Sequence, residues 1–78
     1  MDQLFSLLSQ LFNEDVGNLT LDTSRDDLET WDSLAIINLA ISLEGEYGIS
    51  LTAEDVESLI TVRAILDVLS KHGITVAP

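Results

Sequence analysis

Ser33 is the residue of this chain whose type and position best suit group-transfer chemistry, because it stands between Asp32 and Leu34 where a long polar segment gives way to an apolar run. At the start of a helix the first backbone N–H groups lack intrahelical partners and carry a partial positive charge, so a phosphodiester on a serine there is electrostatically favoured. A serine at such a junction also keeps its hydroxyl open to a modifying enzyme. The same place suits a plain N-cap, which is what most serines at helix starts are, so the residue by itself leaves both roles open. Other reactive groups are scarce. The chain has no cysteine, which removes disulfides, thiolate metal sites and a thiol nucleophile together, and any thiol chemistry must be borrowed. His72 is the one histidine, and it falls in a C-terminal turn where a helix-end role is favoured over catalysis. Asp22, Ser24, Asp26 and Asp27 cluster as they do in a calcium-binding loop, but the required sixth-place glycine is Asp27 and the twelfth-place glutamate is Ser33.

Composition limits what can surround Ser33. With 78 residues the chain makes one modest core and no deep enclosed active-site cavity, so residues 1–78 are expected to form a single domain, frayed over 74–78. Hydrophobic residues at 46% and charged residues at 22% are those of a folded domain rather than a disordered acidic tail. Fourteen acidic side chains against three basic ones give a formal charge of −11, which repels nucleic acid and anionic membrane and favours partners with basic surfaces. The same imbalance destabilises the fold by self-repulsion, so the melting midpoint is expected to rise with added salt. The start Met1-Asp2-Gln3 lacks the basic region of a signal peptide and no apolar run reaches the length of a membrane span, which leads to the expectation of a cytoplasmic monomer.

The elements that must position Ser33 can be read from periodicity and caps. Leu4, Leu7, Leu8, Leu11 and Phe12 form the stripe of an amphipathic helix of about 10 residues. From about Asn13 to Asp32 the period fades into a long connecting loop, with Val16, Leu19, Leu21, Leu28 and Trp31 expected to pin it to the core. Ser33 to Tyr47 is so apolar on most sides that it reads as the central helix of a bundle, with Asp32 or Ser33 as N-cap and Gly48 as its stop. Ile49-Ser50-Leu51 is a connector. Thr52 and Asp55 hold the places of a capping box for a short third helix to about Leu59. Thr61 caps a last helix with Val62, Ile65, Leu66 and Leu69 on one stripe, closed by Lys71, His72 and Gly73. The fold class is therefore all-α, a small four-helix bundle with a long loop between the first two helices.

Trp31-Asp32-Ser33-Leu34, then Leu43-Glu44-Gly45-Glu46-Tyr47-Gly48-Ile49, then Glu54-Asp55 and Thr61-Val62 with Ile65 resemble, in order and spacing, the acyl carrier protein family. The resemblance implies a four-helix bundle in which Ser33 is esterified by 4′-phosphopantetheine from coenzyme A. A separate phosphopantetheinyl transferase using Mg²⁺ would do this, with Asp32 helping to position the site or its metal ion and Leu34 beside it. The protein is then a non-catalytic carrier, and the missing cysteine is explained because the arm brings the thiol for acyl, aminoacyl or polyketide thioesters. Matching by position, Ile37 and Ile41 would give apolar contacts to acyl-loading and acyl-processing enzymes. Glu44, Glu54 and Glu57 would meet arginine or lysine on those partners. Ile41, Leu59 and Ile60 are the expected lining for any cargo that folds back. Departures from the pattern bear on the pathway: fatty-acid carriers place acids where this chain has Ala35 and Asn38, a small residue where it has Trp31, and peptidyl carriers a glycine-rich approach where it has Glu29-Thr30-Trp31-Asp32. A dedicated carrier in a specialised acyl or polyketide pathway fits these best. The competing reading is an unmodified acidic helical adaptor that uses protein contacts alone. A membrane-surface helix is disfavoured because the amphipathic stretches carry acids rather than lysine and arginine.

Overall fold

The computed structural model of the chain describes residues 2–75. Four α-helices follow in order: α1, Asp2–Phe12; α2, Ser33–Tyr47; α3, Ala53–Glu57; and α4, Val62–Lys71. Between α1 and α2 the chain makes one 3-10 turn at Val16–Asn18, and the β pairing among the described residues is a single antiparallel bridge from Ser24 to Thr61.

Helix α1 buries Leu4, Leu8 and Phe12, one residue per turn, and keeps Phe5, Leu7 and Leu11 half-buried against the same core. It stops at Asn13, whose φ of 52° is left-handed, a conformation that asparagine tolerates better than most residues.

The long connection is held by specific bonds rather than by general apolar contact. Trp31, 1% exposed, stacks on Phe12 with ring centroids 4.5 Å apart, and its Nε1–H donates to the Leu59 carbonyl at 3.2 Å. Thr30 Oγ1 donates to the Phe12 carbonyl at 2.6 Å. At the far end the loop supplies acceptors that the first turn of α4 requires: Val62 N donates to Thr23 O at 3.0 Å and Arg63 N to Leu21 O at 3.1 Å, while Thr61 Oγ1 accepts from Ala64 N at 2.9 Å. Leu19 is buried and Leu21 and Leu28 are half-buried, but Val16 is 44% exposed and does not pin the loop. Its place in the 3-10 turn points it outward, and no buried residue lies in that turn.

Helix α2 buries Ala35, Ile36, Leu39, Ala40 and Leu43 and ends where Gly48, at φ 65°, donates its N–H back to Glu44 O at 2.9 Å. It is not enclosed on most sides as its composition suggests. Leu34, Ile37 and Ile41, spaced three and four residues apart, form a second apolar stripe that is 66%, 51% and 62% exposed.

Helix α3 has the expected capping box, Thr52 Oγ1 accepting from Asp55 N and Asp55 Oδ2 from Thr52 N, both at 3.1 Å. Asp55 does more than cap. Its buried carboxylate also accepts from Lys71 Nζ at 2.6 Å and His72 Nε2 at 2.8 Å, tying α3 to the end of α4. These bonds from Lys71 first, then His72 and the Thr52 N–H, hold the carboxyl far below the usual carboxylate range, and the same ion pair raises Lys71. A lowered folded value means that the contribution of Asp55 to stability is complete above the unfolded carboxylate pKa of about 4 and is lost as pH falls toward the folded one. Asp55→Asn is therefore expected to melt several degrees below the parent at pH 7, with the gap closing as the pH is taken below about 4. Thermal scans across that range check this, and a constant gap would contradict it. Beyond α4, Gly73 turns the chain at φ 82° and Ile74 N donates to Leu69 O at 2.9 Å, so Ile74 is anchored rather than frayed. Residues 76–78 of the expected frayed tail lie outside the described residues.

Candidate functional site

Asp32, not Ser33, caps α2: its extended backbone lets Oδ1 accept from Ala35 N at 2.9 Å. Ser33 is thereby the first residue inside the helix, exposed, and no hydrogen bond engages its hydroxyl among the described residues. The Asp32 cap uses the amide of Ala35, and Ile36 N makes the first intrahelical bond to Asp32 O at 3.0 Å. The amides of Ser33 and Leu34 remain without a partner among the described residues, aimed out of the positive end of a fifteen-residue helix. An accessible hydroxyl beside two free N–H donors is an arrangement that accepts and then stabilises a phosphoester.

Ser33 opens onto a cleft of about 290 Å³ between α2 and α3, lined also by Arg25, Ile36, Ile37, Val56 and Glu57. The walls are apolar and the charges sit at its rim. A larger opening of about 400 Å³ lies between α3 and α4, lined by Glu54, Asp55, Ser58, Ala64, Asp67, Val68 and Lys71. It does not reach Ser33, and the Asp55–Lys71 pair that crosses it is a structural tie.

The other residues expected at the site divide into three groups. Leu34, Ile37 and Ile41 share the exposed stripe of α2 beginning at Ser33. Glu54 and Glu57 are exposed on α3, Glu57 at the cleft beside Ser33 and Glu54 at the larger opening. Glu44 is half-buried, and its Oε2 accepts from Leu51 N at 2.9 Å, so it braces the connector after α2. The expected cargo lining needs correction. Leu59 is fully enclosed with its carbonyl taken by Trp31, while Ile41 and Ile60 lie on the surface; the apolar walls next to Ser33 are Ile36, Ile37 and Val56. Trp31 packs inside the loop and presents nothing to a partner or cargo. Val56 and Arg25 were not legible as site residues: packing of α3 against α2 brings Val56 to the cleft, and the bonds of the long loop to the segment between α3 and α4 bring Arg25.

A small helical bundle that presents an unbonded serine at the head of its second helix, above an apolar cleft, has the build of a domain that carries a tethered group. Comparison with known proteins agrees. The family model described as "Phosphopantetheine attachment site" matches residues 2–69. An acyl carrier protein of Petrotoga mobilis is 32% identical over 75 residues, covering 90% of this chain and 87% of that protein. An acyl carrier protein of Buchnera aphidicola is 39% identical over 41 residues, 53% of each chain. The solution structure of a holo acyl carrier protein from Geobacter metallireducens superposes with a TM-score of 0.76 at 36% identity, covering 90% of this chain and 80% of that one. The chain belongs to the acyl carrier protein family, and its prosthetic group is 4′-phosphopantetheine.

Proposed function

We propose that Ser33 is the residue that bears the phosphopantetheine arm, and that residues 1–78 act as one monomeric carrier domain loaded by a phosphopantetheinyl transferase. The observation that carries this is the division of labour at the head of α2, where Asp32 takes the cap and leaves the Ser33 hydroxyl exposed and unbonded. In the loading step Ser33 Oγ attacks the pyrophosphate of coenzyme A. The new P–O bond is the phosphodiester, the P–O bond to the departing nucleotide breaks, and the hydroxyl proton passes to a base of the transferase. When bound, the group supplies a thiol that holds acyl cargo as a thioester at high effective concentration near each partner. This chain's own work is to orient the serine, place two amides at the phosphate and offer partners a docking face.

That face is the stripe Leu34, Ile37 and Ile41 with Glu54 and Glu57 beside it, which suits a partner with an apolar patch ringed by arginine or lysine. Exposed charge pairs contribute about 0–1 kcal/mol each, so the acids steer encounter and the apolar stripe anchors it. Ile41→Ala is expected to lower a transferase's kcat/KM for the apo protein roughly tenfold while leaving the melting midpoint unchanged, because about 1.4 kcal/mol of lost contact is tenfold and the side chain is 62% exposed. Steady-state loading assayed by mass, beside a thermal scan, checks both halves; undiminished kcat/KM with every partner tried would remove Ile41 from the face.

The departures in helix α2 support a dedicated carrier in a specialised acyl or polyketide pathway. Of the two positions lacking the acids of fatty-acid carriers, Ala35 is buried and Asn38 is exposed, so it is Asn38 that makes the outer face of α2 less negative.

A further inference from the structure

We propose that Arg25 is the chain's own counter-charge for the phosphodiester on Ser33, holding the phosphate end of the arm at the mouth of the cleft between α2 and α3; this rests on attachment at Ser33. The chain has three cationic side chains among fourteen acids. Two have structural partners: Arg63 bonds Asp22 at 3.1 Å, and Lys71 bonds Asp55 at 2.6 Å. Arg25 is exposed and has no carboxylate partner among the described residues, although Asp26 and Asp27 follow it directly. The Asp27 carboxylate is occupied locally, accepting from Ser24 N at 2.9 Å and Ser24 Oγ at 3.3 Å.

The place of Arg25 is fixed. Its backbone N–H donates to Ile60 O at 2.9 Å, and the bridge from Ser24 to Thr61 holds the preceding residue, so this turn of the long loop is laced to the segment between α3 and α4. That lacing sets Arg25 on the same cleft as Ser33, whose lining it shares with Glu57, Ile36, Ile37 and Val56. A phosphodiester keeps its negative charge at any ordinary pH, and a guanidinium binds phosphate oxygens through paired N–H donors. In a chain of formal charge −11, one more negative charge beside Asp32 is repelled from most directions. Arg25 and the free amides of Ser33 and Leu34 are the donors beside the cleft that offset this repulsion. The contact would direct the arm along the α3 side of the bundle.

The test uses the full-length protein, ¹⁵N-labelled, before and after loading with phosphopantetheine to completion as judged by intact mass. The Arg25 Nε–Hε resonance is expected to move on loading, and the ³¹P resonance of the phosphodiester to differ between wild type and Arg25→Gln, with the difference shrinking as salt is raised toward about 1 M. Complete loading with the Arg25 resonance unmoved and identical ³¹P positions in wild type and Arg25→Gln would overturn the contact and leave attachment intact. Failure of Ser33 to gain the arm at all would overturn the attachment and the contact with it.

Discussion

Ser33→Ala is expected to fold as the parent does and to take up no phosphopantetheine. The substitution removes one exposed hydroxyl that no hydrogen bond engages among the described residues, and alanine is the best helix former, so the change in stability is expected within about 0.5 kcal/mol. The cap of α2 survives because it belongs to Asp32, whose Oδ1 accepts from Ala35 N. Loading, by contrast, disappears outright, since the phosphodiester has no other oxygen to form on at that place. Asp32→Ala separates the two roles from the other side. It costs about 1 kcal/mol of helix capping, worth roughly 4–8 °C in the melting midpoint of a domain this small, while keeping the nucleophile. Circular dichroism melts and intact masses of the two variants read the contrast. A Ser33→Ala protein that gains the arm, or that fails to fold, would contradict the assignment of separate roles.

Trp31→Ala is expected to be the most destabilising single truncation near the site, at about 3–5 kcal/mol. A domain of this size has roughly 5–15 kcal/mol in all, so much of the native population is at stake. The size of the effect follows from what the indole joins: it stacks on Phe12 at the end of α1 and bonds the Leu59 carbonyl between α3 and α4, so one side chain closes the long loop onto α1 and the α3–α4 connector. Trp31→Phe keeps much of the stacking but leaves the Leu59 carbonyl without its donor, a cost of about 1–3 kcal/mol, and should fall between alanine and the parent. Because Trp31 is the chain's only tryptophan, the melts are followed by circular dichroism rather than fluorescence. Loading of Trp31→Ala should fail in proportion to its unfolded fraction, since Asp32 and Ser33 come directly after the ring. A loss below 1 kcal/mol for Trp31→Ala would show that the loop is held by its backbone bonds alone.

The parts of the fold that were legible in the sequence are those decided within a turn or two of chain. Thr52 and Thr61 as caps and Gly48 as a stop need only local geometry and stand where their residue types indicated, while the cap of α2, left between Asp32 and Ser33 by the sequence, is Asp32. The stripes of α1 and α4 were legible because a buried helix face repeats every three to four residues. What could not be read depends on residues far apart. Asp55 shows its capping-box role in the sequence, but its pairing with Lys71 and His72 spans sixteen and seventeen positions and exists only once α3 and α4 are packed. Trp31 gives no sign in the sequence that its partners are Phe12 and Leu59. Helix α2 misled for a different reason: composition counts apolar residues without saying which are covered, and Leu34, Ile37 and Ile41 are left uncovered. Arg25 was invisible as a residue of the cleft because seven residues of irregular loop lie between it and Ser33.

Attachment at Ser33 is read out by mass spectrometric mapping of the wild-type protein after incubation with coenzyme A, Mg²⁺ and a broad-specificity phosphopantetheinyl transferase. Trypsin cuts after Arg25 and Arg63, so the peptide Asp26–Arg63 contains Ser33 together with Ser42, Ser50 and Ser58 as internal controls. The expected result is one phosphopantetheine per chain, on that peptide, with fragment ions placing it on Ser33. An intact, folded protein that gains no mass, or gains it on any other residue, would contradict the attachment at Ser33.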